Sequence, residues 1–156
     1  MFKYLQKVGK AFILPIALLP AAGLLLGIGG AFSSQATIDA YPFLGNSVLQ
    51  TIFKVMAGAG NVVFANLAML LCIGIMVGLA NREKGVAALA GAVGFLVMNA
   101  TISTLLSIFN PDGDPIDTGV VGALVIGLIA VYLHNNYYNI QLPQVLGFFG
   151  GSRFVP

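Results

Sequence analysis

Charge is what this sequence has least of. Of 156 residues, 7 are Lys or Arg and 5 are Asp or Glu, with one His and no Trp. A soluble domain is charged at about a quarter of its positions. Here the fraction is 8%, against 58% apolar residues and a mean hydropathy of +0.96. Lipid is therefore the expected solvent for most of the chain. The net charge of +2 is small and scattered, which excludes a nucleic-acid face, because phosphate binding needs clustered Lys and Arg. The single cysteine, Cys72, lies in an apolar run and excludes a disulfide framework or a thiolate pair for zinc. One His and one Cys assemble no Ser/His/Asp or Cys/His arrangement. No catalytic residue, cofactor or metal site is expected.

What the chain does have is long uncharged sequence. Between Lys10 and Asp39 lie 28 uncharged residues, between Lys54 and Arg82 27, and between Lys84 and Asp112 27. About 20 apolar residues rising 1.5 Å each cross a bilayer core. The expectation is an all-α membrane protein with spans at about 11–32, 62–81, 85–109 and 118–138, plus two amphipathic helices lying in the interface. The first span, with Pro15 and Pro20, is too long for a cleaved signal core and reads as a retained, kinked helix. With the N-terminus cytoplasmic, Lys3, Lys7, Lys10, Arg82, Lys84 and Arg153 fall inside and only Lys54 outside, a positive-inside pattern.

The interfacial segments are MFKYLQKVGKAF and NSVLQTIFKVM. In the first, Lys3, Lys7 and Lys10 oppose Phe2, Leu5, Val8 and Phe12; in the second, Val48, Leu49, Ile52, Phe53 and Met56 form a stripe away from Gln50, Thr51 and Lys54. Asn46 or Ser47 is placed to cap the second, and Gly58 and Gly60 to end it. The short NREKG loop makes spans two and three antiparallel neighbours. In NPDGDPID, Asp117 or Thr118 is placed to cap the fourth. Small residues at Gly23/Gly27, Gly74/Gly78 and Gly119/Gly122/Gly127 have the spacing of close helix interfaces.

Each polar candidate has a plainer reading beside the functional one. His134, near Tyr132, Tyr137 and Tyr138, reads as an interfacial residue of an aromatic belt at a helix C-terminus rather than a proton or phosphate contact. Asp112, Asp114 and Asp117 lack the closing Glu of a calcium loop and read as a solvated turn. Asn66 and Asn99 are the deepest polar groups and suggest hydrogen bonds between spans two and three. GFFGG lacks the spacing and preceding strand of a phosphate cradle and reads as a pliable join. Arg153 then anchors at the headgroups, with a fifth span expected to start at about 153 and to be interrupted.

The order KVGKAFILPIALLPAAGLLLGIG, VFANLAMLLCIGIMVGLA, KGVAALAGAVGFLVMN, DTGVVGALVIGL and NIQLPQVLGFFGGSRFVP resembles the start of the membrane component, IIC, of bacterial phosphoenolpyruvate-dependent sugar phosphotransferase systems. The resemblance is to the glucose/maltose/N-acetylglucosamine superfamily, and IDAYPFLGNSVLQTIF is closer to its maltose and glucose branch. It implies a multi-pass protein of the bacterial inner membrane and a homodimer, with IIA and IIB phosphocarriers and a sugar as partners. It also implies that this stretch is the N-terminal scaffold, since nothing here matches the family's sugar-binding His or its Gly-Ile-Thr-Glu-Pro signature. Cys72 does not match the IIB phosphocysteine. The alternative from composition alone is a self-contained helical membrane protein, a pore or an assembly factor.

Overall fold

Pro15 and Pro20 divide the first apolar stretch into two helices. The computed structural model describes residues 2–111 and 113–156, with the side chains of residues 2–5 and of Leu14 outside the description. Helix α1, Phe2–Ile16, ends in a turn where the Leu18 amide donates to the Pro15 carbonyl at 3.2 Å. Helix α2, Leu19–Ser33, follows with Pro20 in its first turn, where a missing N–H leaves no bond unmade. The amphipathic N-terminal segment and the first turns of the expected 11–32 helix are thus one helix. The faces expected for Phe2, Lys3 and Leu5 lie outside the described side chains.

The chain forms two compact units, the first containing residues 1–14 and 68–156 and the second Pro15–Leu67. The second is a hairpin of α2 and α4, Ser47–Ala65, joined by the short α3, Gln35–Ala40, and a 3₁₀ turn at Pro42–Gly45. Asn46 caps α4, its Oδ1 accepting from the Val48 amide at 2.9 Å. The helix does not end at Gly58 or Gly60; it runs through both to Asn66. The expected 62–81 helix is accordingly split, with its second part forming α5, Leu67–Leu79.

The reason lies in how α4 packs. A methyl at Gly60 would meet the Ala22 carbonyl oxygen and the Leu26 amide at 2.5 Å, and one at Gly29 would meet the Phe53 carbonyl oxygen at 2.5 Å. The backbones touch, as lipid-embedded helices do where side chains are small. Phe32 and Phe53 stack at 5.2 Å, and Gln50 Nε2 donates to the carbonyls of Phe32 at 3.0 Å and Leu44 at 2.8 Å. The inward face is therefore Gln50, Phe53, Ala57 and Gly60, while Val48, Ile52, Val55 and Val62 are exposed. This reverses the expected orientation of Gln50. Gly27 meets nothing within 4 Å and Gly23 only the Phe64 ring edge at 4.0 Å, so that pair does not form the close contact.

In the first unit α5, α6 (Lys84–Phe109) and α7 (Gly119–Tyr137) pack together, and α1 lies against α5. Met76, Ala80, Ala87, Ala90 and Val131 form one buried cluster, and Cys72, Phe95 and Ala123 another. Gly78 lies against Ala11 of α1, and Gly127 against Ile75, whose side-chain atoms a methyl would meet at 3.3 Å. Helices α4, α6 and α7 are long and apolar enough to cross a membrane; α2 and α5 are apolar and shorter. Among the described residues there is no strand, and the molecule is an all-α membrane protein.

Beyond α7 the chain is more ordered than a pliable join. It makes 3₁₀ turns at Gln144–Phe149 and Gly151–Arg153, and the Gly151 amide donates to the Ile140 carbonyl at 2.8 Å. Gly151 has φ +66°, which glycine adopts without strain. Residues 154–156 are not helical; Val155 packs on the Met76 cluster.

Candidate functional site

Polar side chains are so few that each can be followed to its partner. The most connected group lies where the tight turn between α5 and α6 meets the last turn of α7. Glu83 holds this turn with φ 49°, a left-handed conformation costing a non-glycine residue about 1–2 kcal/mol. The turn is clamped from α7. Asn135 Oδ1 accepts from the Asn81 amide at 2.9 Å, and Asn135 Nδ2 donates to the Leu79 carbonyl at 3.1 Å. His134 Nε2–H donates to the Arg82 carbonyl at 3.0 Å. A carbonyl can only accept, so Nε2 carries the proton. Nδ1 is buried and has no partner among the described residues.

His134 is fully buried; it stands at the helix C-terminus as expected, but not as part of an outward aromatic belt. The residue stands in the last turn of α7, but its ring turns inward, with the Tyr138 ring 6.1 Å away, while Tyr132 and Tyr137 are exposed. Asn135 was missed. Its signal is the pair His134-Asn135 at a helix end on the same side, by charge, as a loop too short to satisfy its own backbone groups.

At the opposite end of α6 and α7, Asn99 accepts through Oδ1 from the Thr118 hydroxyl at 2.9 Å and donates through Nδ2 to the Phe95 carbonyl at 3.0 Å. It joins α6 to α7 rather than to the preceding helix. The Thr101 and Thr104 hydroxyls return to the carbonyls of Val97 and Ala100, both at 2.8 Å. Asn66 also returns to its own helix, donating to the Val62 carbonyl at 2.8 Å where α4 ends; it bridges no helices. Cys72 is buried and directs its Sγ–H to the Gly91 carbonyl at 3.3 Å.

Asp117 Oδ1 accepts from the Gly119 amide at 2.9 Å at the start of α7, and Asp114 is exposed. Asp112 lies outside the described residues. Among the described residues no group of three His, Cys, Asp or Glu could hold a metal ion. The hydrogen-bonded polar groups are tied mostly to backbone, so the arrangement positions helices; among the described residues no bonded pair joins a nucleophile to a base.

The phosphotransferase system EIIC family model matches residues 9–156, nearly the whole chain. A match of that extent covers both units and both polar clamps together. The chain therefore belongs to the phosphotransferase system EIIC family and is a membrane component of a sugar permease that works with IIA and IIB phosphocarriers.

Proposed function

We propose that this chain is the scaffold and dimerisation part of a permease that imports a glucose- or maltose-type sugar with its phosphorylation. One observation carries the reading: most of the deep polar groups are already engaged, with His134 Nδ1 and Gln50 Oε1 the buried exceptions among the described residues. Asn66, Asn99, Thr101, Thr104 and His134 spend their hydrogen bonds on helix backbones or on one another's helices. A sugar site needs several convergent free donors and acceptors. The branch rests on the resemblance of IDAYPFLGNSVLQTIF. The cytoplasmic N-terminus in a bacterial inner membrane rests on Lys54 standing alone against the other six Lys and Arg residues. The outward Val and Ile faces leave apolar surface for a second copy as well as for lipid.

The test is the purified 156-residue chain in lipid nanodiscs, titrated calorimetrically with glucose and maltose and sized by light scattering in detergent. The expected result is a dimer that binds neither sugar. A monomer, sugar binding as tight as a permease's, or single-channel conductance in planar bilayers would each overturn the proposal.

A further inference from the structure

Beside the α7 clamp lies a cavity of about 370 Å³ between α1, the end of α5 and α7. Its walls grade along one face of α7. On α7 the lining runs from Leu128 and Val131 to Tyr132, Asn135 and Asn136, with Leu79, Asn81, Lys7 and Val8 completing it. Positions 128, 131, 132 and 135 follow the i, i+3, i+4, i+7 rule, so the gradient runs parallel to the helix axis. That axis belongs to a helix long and apolar enough to cross the bilayer. An apolar trough ending in amides, a phenol and an ammonium has the profile of one lipid molecule, acyl chain below and headgroup above.

The charge selects the lipid. Among the described residues Lys7 is the only formally charged one in the lining, and none there is Asp or Glu. Arg82, next to the lining residue Asn81, and Lys84 add positive charge at the same turn, against Glu83 alone. Three of the lining polar groups are carboxamides, whose N–H donors suit phosphate oxygens. A zwitterionic headgroup would bring its own cation to a site that already holds one. We propose that this cavity binds an anionic phospholipid, with the phosphate taken by Lys7 and the carboxamide at Asn136, and one acyl chain lying along Leu128 and Val131. Asn135 has both side-chain groups committed to the α5–α6 turn, so a lipid held here rests directly on the clamp and braces it.

The experiment is native mass spectrometry of the full chain released from micelles containing equimolar phosphatidylglycerol and phosphatidylcholine. One Lys near an anionic headgroup predicts about a fivefold excess of phosphatidylglycerol adducts. Lys7→Gln should lower the ratio severalfold, and Lys54→Gln, on a different unit, should leave it unchanged. Asn136→Asp, an exposed substitution that places a carboxylate in the rim, should favour phosphatidylcholine. Equal retention of the two lipids by the unaltered chain, or a ratio unmoved by Lys7→Gln and Asn136→Asp, refutes the site. Displacement of phosphatidylglycerol by millimolar inorganic phosphate would assign a free-anion site and equally overturn the lipid.

Discussion

The hairpin of residues 15–67 and the unit built on α5, α6 and α7 solve the same problem by different means. Both must hold helices together where burying leucine gains little over leaving it among acyl chains. The hairpin does it with backbone contact: Gly29 and Gly60 allow α2 and α4 to touch, and a single Gln50 ties the ends. The other unit has one such contact, Gly78 against Ala11, but fills the space between α5, α6 and α7 with Met76, Phe95 and Ile75, and closes both ends with polar side chains, His134 and Asn135 at one and Asn99 and Thr118 at the other. Contact between backbones tolerates no added atom. Contact through side chains can adjust.

The largest effect expected is therefore in the hairpin. Gly60→Leu places a side chain where the Ala22 carbonyl oxygen and Leu26 amide already stand, and should destabilise the α2–α4 pair by about 3 kcal/mol. Gly58→Leu, two residues earlier and open for 4 Å around, should be nearly neutral. Gly91→Ala in the other unit first meets the side chain of Met76, which is flexible enough to move, so its cost should fall well below that of Gly60→Leu. Unfolding in mixed micelles by a rising denaturing detergent fraction measures all three. Equal losses at Gly58 and Gly60 would erase the distinction between the units.

Next in size is the clamp on the α5–α6 turn. Asn135→Leu removes two hydrogen bonds and leaves the Asn81 amide and the Leu79 carbonyl without them, a loss of about 2 kcal/mol. The loss should be local: deuterium exchange at residues 80–83 should quicken while the α2–α4 hairpin stays protected. Uniform quickening across both units would mean that Asn135 supports the whole fold rather than the turn.

What the sequence discloses, and what it hides, follows the same division. The charge-bounded segments 85–109 and 118–138 lie within a residue of the ends of α6 and α7, because neither helix carries a charge beyond Lys84 and the turns that bound them carry Arg82, Glu83, Asp114 and Asp117. The hairpin was misread for a physical reason. Val48 and Ile52 with Leu49, Phe53 and Met56 form an apolar stripe opposite Lys54, which reads as a helix lying in the interface, with glycines marking its end. Within the hairpin the valines and isoleucines still face out, but Gly60 is the helix contact and not its end. His134 was misplaced because a helix end in the interface says where a residue stands but not where its ring points. Its neighbour Asn135 could not be distinguished from Asn136 without knowing which of the two faces the α5–α6 turn.

The smallest expected effect is also the sharpest probe of how polar pairs act in this fold. Asn99 and Thr118 share one hydrogen bond across α6 and α7, and Asn99 also donates to Phe95 of its own helix. Replacing Asn99 by Leu removes both contacts, whereas Thr118→Val removes only the shared one, so neither single variant isolates the pair. The double-mutant cycle does. Interhelical hydrogen bonds in membranes average about 0.6 kcal/mol, because separated helices find other partners for the same groups. A coupling near that value is expected for Asn99 and Thr118. A coupling several times larger would place this end of the unit on a par with the glycine contact of the hairpin. A coupling of zero would leave Asn99 as a residue that satisfies only its own helix, and the end of α7 held by Asp117 and the apolar cluster alone.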